Sequence, residues 1–279
     1  MDEHPYIVKA RTEIAGWESQ GPGYLSQVAD FVLWPAEKAA ELLIPNAAQE
    51  AIGKSIHTCL EGLSGLSTHT IDEAKLQRKV QERFVRLRPG SDTMFAELQA
   101  ADEQAQECWN WNIGYAATEG GATGGLGFSG LAADVPALFT ILLRLIQEIA
   151  TCYGYKLTRD GEGEYVLQIL RAGSAANAKV KIEFVIALKE LEQILIQISW
   201  KKMSAELAAK HISKLSLLAA MRQFAKSLGI QITKRKALQL VPIVGAIVGA
   251  SLNATLANDI GRAAYMSYRR RWMDERNPQ

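Results

Sequence analysis

Nothing in this chain supplies the usual starting points for assigning a reaction. Its three cysteines, Cys59, Cys108 and Cys152, are widely spaced and odd in number. That excludes a disulfide framework and a C-x-x-C zinc site, and leaves reduced core thiols as the reading. His57 stands two residues before Cys59, but on a helix that spacing turns the side chains apart. The four histidines, His4, His57, His69 and His211, form no H-E-x-x-H or other ligand spacing, so no metal and no cofactor is expected. A G-x-S-x-G elbow is absent, and no cysteine has a histidine partner, so no nucleophile can be named. Charge of one sign is also missing: 31 Lys and Arg stand against 30 Asp and Glu, a net charge of +1. No global field is left to recruit nucleic acid. The opening Met1-Asp2-Glu3-His4-Pro5 is acidic and polar, unlike a signal peptide, and a cytoplasmic location is expected.

What the chain has in quantity is apolar residues at helical spacing. The periodicity predicts helices over 27–43 (with a kink at Pro35), from Pro45 to about Leu66, from Thr93 to about Glu119, and from Asp134 and Pro136 to Tyr153-Gly154. Further helices are expected over 165–171, 178–202, 204–228 and 236–273, with a turn or short hairpin over 156–164. Residues 67–92, with Lys75, Arg78, Lys79, Arg83, Arg86 and Arg88, read as a connector or a helix with a basic solvated face. The fold class is therefore all-α. Residues 1–92 form an N-terminal helical region and residues 93–279 a helical core, the two also being readable as one continuous domain.

Two segments stand apart. Gly120 to Gly130 (GGATGGLGFSG) contains a G-x-G-x-x-G match. A helix rather than a strand precedes it and no ribose-binding acid follows a second strand, so dinucleotide binding is not expected. The glycines suit a sharp turn or close helix approach. The amides of Gly124, Gly125 and Gly127, beside a helix start, are candidate anion ligands, and Asp134 is the expected helix cap. The helix that follows is apolar except for one stripe, Thr140, Arg144, Gln147, Glu148 and Thr151. Arg144 and Glu148 are either an exposed i,i+4 pair or a pair facing a cavity.

The second segment, Ala237 to Asn258, carries no charged residue and is long enough to cross a bilayer. One of its faces is small, with Gly245, Ala246, Gly249, Ala250, Asn253 and Ala257. This is the spacing that lets helices pack backbone to backbone. The default reading is a buried hairpin of a bundle, with membrane insertion as the alternative. Beyond it Arg262, Arg269, Arg270 and Arg271 form a local basic bias, and the last three are expected to face a membrane surface.

Residues 119–154 (EGGATGGLGFSGLAADVPALFTILLRLIQEIATCYG) resemble the EcsC protein family, which carries a glycine-rich stretch, an aspartate-x-proline, an arginine and glutamate on the helix, and a closing tyrosine-glycine. Residues 240–264 (LVPIVGAIVGASLNATLANDIGRAA) are similar to its carboxy-terminal segment. The resemblance implies a helical bacterial protein, from a family named for a gene beside an ABC-transporter operon, and it carries over no catalytic set. It singles out Asp134, Arg144, Glu148, Tyr153, Gly154, Asn253, Asp259 and Arg262 as matching positions. The expected function is a membrane-associated accessory or binding protein, peripheral to the inner face of the cell membrane, with a membrane surface or membrane-protein partner. The alternatives are a hydrolase with a cavity near Arg144 and Glu148, and a pore-forming protein inserting both apolar segments.

Overall fold

The computed structural model describes residues 4–20, 71–89, 92–124, 127–156, 162–175 and 245–276, with single positions at 182, 185, 186 and 189. Among these residues there are six helices and no strand: α1 Pro5–Ser19, α2 Glu73–Leu87, α3 Thr93–Gly124, α4 Gly127–Cys152, α5 Glu162–Gly173 and α6 Gly245–Arg276. The expected helices over 27–43, 45–66 and 204–228 lie outside the described residues, as does most of 178–202.

The helix starts follow from local chemistry. Pro5 opens α1 at a position where its missing N–H costs nothing, and His4 Nδ1 accepts from the Tyr6 N–H at 3.2 Å. Asp72 accepts from the Lys75 N–H at 2.9 Å and Asp92 from the Phe95 N–H at 3.2 Å, capping α2 and α3. Helix α1, which the periodicity did not predict, buries Ile7, Ala10, Ile14 and Trp17, a stripe at steps of three and four.

Helices α3 and α6, each of 32 residues and so about 48 Å long, make the most extensive contact. Helix α4 packs on both, α5 packs on α6, α2 lies over α3 and α4, and α1 reaches α6. From Ala263 to Met273, α6 is buried on every side, which makes it the centre of the bundle. Helices from before and after residue 92 share one hydrophobic cluster.

The glycine-rich stretch behaves differently from the expected turn. Gly120 to Gly124 continue α3, and α4 opens at Gly127, so Asp134 and Pro136 lie inside α4 and Asp134 is not its cap. Glycine costs about 1 kcal/mol per helical position, and these positions are helical nonetheless. A Cβ on Gly121 would sit 3.8 Å from the Ala250 Cβ, ordinary van der Waals contact. Close approach is enforced further down α6. A Cβ on Gly261 would come within 2.3 Å of the Trp109 ring, and one on Gly173 of α5 within 2.6 Å of the Ile260 backbone. Gly245 and Gly249 begin α6, but their surroundings lie outside the described residues.

The apolar character of α4 is that of a core helix. Leu138, Phe139, Leu142, Leu143, Leu145, Ile146 and Ile149 are all buried against neighbouring helices. No helix among the described residues is long and apolar enough to cross a membrane.

The end of α4 places two tyrosines. Gly154 adopts φ +85° and the Tyr155 N–H returns to the Ala150 carbonyl at 2.9 Å, a left-handed stop that L side chains resist. The turn sends Tyr153 toward α3 and Tyr155 toward α6. A Cβ on Gly154 or on Gly114, in the middle of α3, would meet nothing within 4 Å. The two positions therefore isolate conformation from crowding. Gly154→Ala is expected to destabilise the fold by about 1–2 kcal/mol, and Gly114→Ala to stabilise it by about 0.5–1 kcal/mol. Urea midpoints measure both, and shifts of the same sign would refute the assignment.

Candidate functional site

Arginine resists burial, because its charge must be matched by a carboxylate once water is removed. Successive residues on a helix point about 100° apart. Arg269, Arg270 and Arg271 therefore radiate from α6 into three different sectors, and their relative exposures are only 2%, 7% and 1%. Each finds its own acid. Arg269 donates to Asp102 of α3 at 2.7 Å and to Glu13 of α1 at 2.6 Å. Arg270 pairs with Glu18 of α1, which also accepts from Lys189 at 2.6 Å. Arg271 pairs with Glu162 of α5 at 2.8 Å and with Glu275 of its own helix at 3.1 Å. The expectation that these three arginines face a membrane is therefore corrected. Tyr265, Met266, Tyr268, Trp272 and Met273 occupy the same turns and are buried, so no sector of the helix is left for water.

Asp102 is the most densely bonded of these acids. It is fully buried and accepts from the Tyr6 and Tyr153 hydroxyls, each at 2.6 Å, as well as from Arg269. Burial pushes its carboxyl above the ordinary value, against the opposing pull of Arg269 and the two phenols. Burial, reinforced by the Asp102 charge, likewise holds Tyr6, Tyr153 and Tyr265 well above the ordinary phenol range; Tyr6 and Tyr153 donate to Asp102, and the Tyr265 hydroxyl accepts from Gln106 at 3.0 Å. Tyr6 and Tyr265 also face the Arg269 guanidinium, at 5.6 and 5.3 Å. Arg271 lies 4.1 Å from the Tyr155 ring and 5.2 Å from that of Tyr165. These groups are engaged with one another, which makes them a framework.

The open chemistry lies elsewhere, in a cleft of about 280 Å³ between α2, α3 and α4, lined among others by Lys75, Glu107, Cys108, Trp111, Arg144 and Glu148. The expected pair is present. Arg144 Nε donates to Glu148 at 2.8 Å, with Arg144 half-buried and Glu148 nearly covered. Asn112, missed in the sequence, donates to the other Glu148 oxygen at 2.7 Å and to the Cys108 carbonyl at 2.8 Å. Both carboxylate oxygens are thus occupied, and Glu148 holds Arg144 in place. The Arg144 guanidinium lies 5.7 Å from the Tyr115 ring. Across the cleft α2 is pinned by Lys79 to Glu107 at 2.8 Å, by Arg83 to both Glu103 and Glu107, and by Arg86 to Glu103 at 3.0 Å. The basic face expected over residues 67–92 is in part an ion clamp onto α3.

The other candidates are scattered. Gly124 ends α3, Gly127 begins α4, and Gly125 lies outside the described residues. Tyr153 serves Asp102 rather than the cleft. Asn253 is buried and donates to Glu119 of α3 at 2.7 Å, tying α6 to the helix it faces. Asp259 and Arg262 are partly exposed on α6, Arg262 reaching Gln20 at 3.5 Å, and neither lines the cleft. Among the described residues no cluster could hold a metal.

The burial pattern orders three substitutions. Arg269→Ala and Arg271→Ala each strand a buried carboxylate and are expected to cost about 3–5 kcal/mol. Arg270→Ala is expected to cost less, because Glu18 keeps Lys189. Denaturant midpoints decide, and three equal, small shifts would return these arginines to the surface.

The sequence model of the EcsC protein family matches residues 8–273. The chain is also similar to the "Uncharacterized protein YdbA" of Bacillus subtilis (strain 168), at 25% identity over 253 residues, covering 88% of each chain. No solved structure matches. With the match running from α1 to the buried end of α6, the chain belongs to the EcsC protein family.

Proposed function

We propose that this protein is a membrane-associated accessory protein, a binding module rather than an enzyme, whose contact face is the rim of the α2–α3–α4 cleft. One observation carries the reading. Trp111 and Tyr115, one turn apart on α3, are 64% and 50% exposed, beside Arg144 and Lys75. Neighbouring exposed apolar side chains rimmed by polar groups, rather than one exposed ring, mark a contact site. Indole and phenol rings flanked by cations match the headgroup layer of a bilayer, where aromatic rings collect. Each basic residue near an anionic surface adds about 1 kcal/mol. The Trp111 and Tyr115 ring centroids lie 6.3 Å apart, a small paired platform, and Glu148 with Asn112 keeps Arg144 beside it. Contact of this kind is peripheral, at the inner face of the cell membrane.

The hydrolase reading uses the same cleft but is less well supported. A general base needs a free lone pair aimed at substrate, and both Glu148 oxygens are already engaged by Arg144 and Asn112. Asp259, which would have strengthened it, is not among the lining residues.

Flotation with phosphatidylglycerol-containing vesicles tests the proposal. The full chain is expected to float at low salt and to be released at high salt. A Trp111→Ala/Tyr115→Ala variant and Arg144→Gln are each expected to reduce flotation severalfold while retaining the helical circular dichroism. No flotation of the unaltered chain at low salt would overturn the membrane reading, and undiminished flotation of the aromatic variant would overturn this face as the contact.

A further inference from the structure

The cleft between α2, α3 and α4 is lined by three acids, Asp72, Glu107 and Glu148, and by three bases, Lys75, Lys79 and Arg144. Its outer wall, α2, has no buried residue and is held by the ion clamp onto α3. The acids are already engaged. Glu107 is held by Lys79 and Arg83, Glu148 by Arg144 and Asn112, and the Asp72 carboxylate accepts from the Lys75 N–H as a helix cap. The bases are not all spent. The Lys75 ammonium has no partner among the described residues, and Arg144 gives Glu148 its Nε alone, leaving Nη1 and Nη2 without one.

The shape of the Arg144 guanidinium decides what it can take. Pairing through Nε leaves the far edge of the fork, where Nη1 and Nη2 each present an N–H. Two parallel donors at that spacing match two oxygens of a phosphate, which a lysine cannot do. The fork is also held ready. Glu148 is nearly covered and receives a second hydrogen bond from Asn112 at 2.7 Å, and the Tyr115 ring lies 5.7 Å from the guanidinium. A group oriented before binding loses less freedom on binding.

Charge selects among phosphates. With Arg83, Arg86 and Glu103 of the clamp included, five cations face four acids, a surplus of one. That surplus balances a monoanionic phosphodiester and leaves the second charge of a phosphomonoester unmatched. The cleft, at about 280 Å³, lies below the roughly 300–1,000 Å³ of pockets that enclose a drug-sized molecule, so it takes a headgroup and not a whole lipid. Trp111 and Tyr115, exposed beside it, offer ring faces to the carbon attached to the phosphate. We propose that the cleft binds one phosphodiester headgroup of an anionic lipid, gripped by the Arg144 fork and the Lys75 ammonium. The lipid source rests on the membrane reading above, whereas the phosphodiester chemistry is shared with free glycerophosphodiesters.

Calorimetry of the full chain with dihexanoyl phosphatidylglycerol, kept below its micelle concentration, reads the cleft without a bilayer. Saturable binding of one molecule per chain is expected, with glycerol phosphate, a dianionic monoester, severalfold weaker. Arg144→Lys keeps the charge and loses the fork, and should weaken binding about tenfold. Lys75→Gln should weaken it about threefold. Lys75 is exposed, so its variant reads the site even if Arg144→Lys does not fold. Absent or unsaturable heat from the folded parent would overturn the proposal, as would binding equal to the parent's in either folded variant. If phosphatidylglycerol vesicles still float the chain in that case, the membrane reading survives without this site. Saturable binding that Arg144→Lys weakens, together with no flotation of the parent, would keep the phosphodiester site and overturn the lipid as its source.

Discussion

The bundle depends on one awkward requirement: α6 carries three consecutive arginines into the interior, and each must meet an acid there. The consequence is geometric. Because neighbouring side chains on a helix diverge, the three acids have to come from different directions, and they do so from α3, α1 and α5. The Arg269–Asp102 pair is shut off from water, as Arg271–Glu162 is, and two tyrosines add hydrogen bonds to Asp102. Apolar residues of similar size would hold α6 in the core at lower desolvation cost. What the charges add is selectivity: a slip of α6 by one residue would bring Tyr268 to the Arg269 position or Trp272 to the Arg271 position, leaving buried Asp102 or Glu162 without its arginine.

The same requirement explains why the framework and the cleft are separate places. Tyr153 and Asn253, both positions that match the family pattern, are spent on internal ties, Tyr153 to Asp102 and Asn253 to Glu119. Arg144 and Glu148 differ because α4 turns that part of its stripe toward the gap left under α2, where the guanidinium stays half in water. The cleft is bounded on one side by the most weakly attached helix and on the other by the rigid α3–α4 packing. A binding face can draw on that contrast, since regions of low local stability are where access is controlled.

The helical class was legible from spacing alone, and so was the Arg144–Glu148 pair, because i,i+4 geometry is fixed by the helix itself. Long-range partners were not. Nothing near Asp102 in the chain marks it as the acid for Arg269, 167 positions later. Asn112 likewise gave no periodic signal. The arginine run misled because a row of charges usually marks a solvated surface; the available clue was that Tyr265, Met266, Tyr268, Trp272 and Met273 surround it with bulky residues on every side. The glycines misled for a related reason. Their helical cost is local and readable, whereas the packing of α3 along α6 is not.

A double-mutant cycle between Asp102 and Arg269 tests the central claim most directly. Unfolding free energies are measured for the parent chain, Asp102→Asn, Arg269→Gln and the double variant. The buried pair predicts that each single change is more damaging than its share of the double change, with a coupling of about 2–3 kcal/mol. Coupling below about 0.5 kcal/mol, the additivity expected of independent sites, would contradict the claim that this interior ion pair organises the fold.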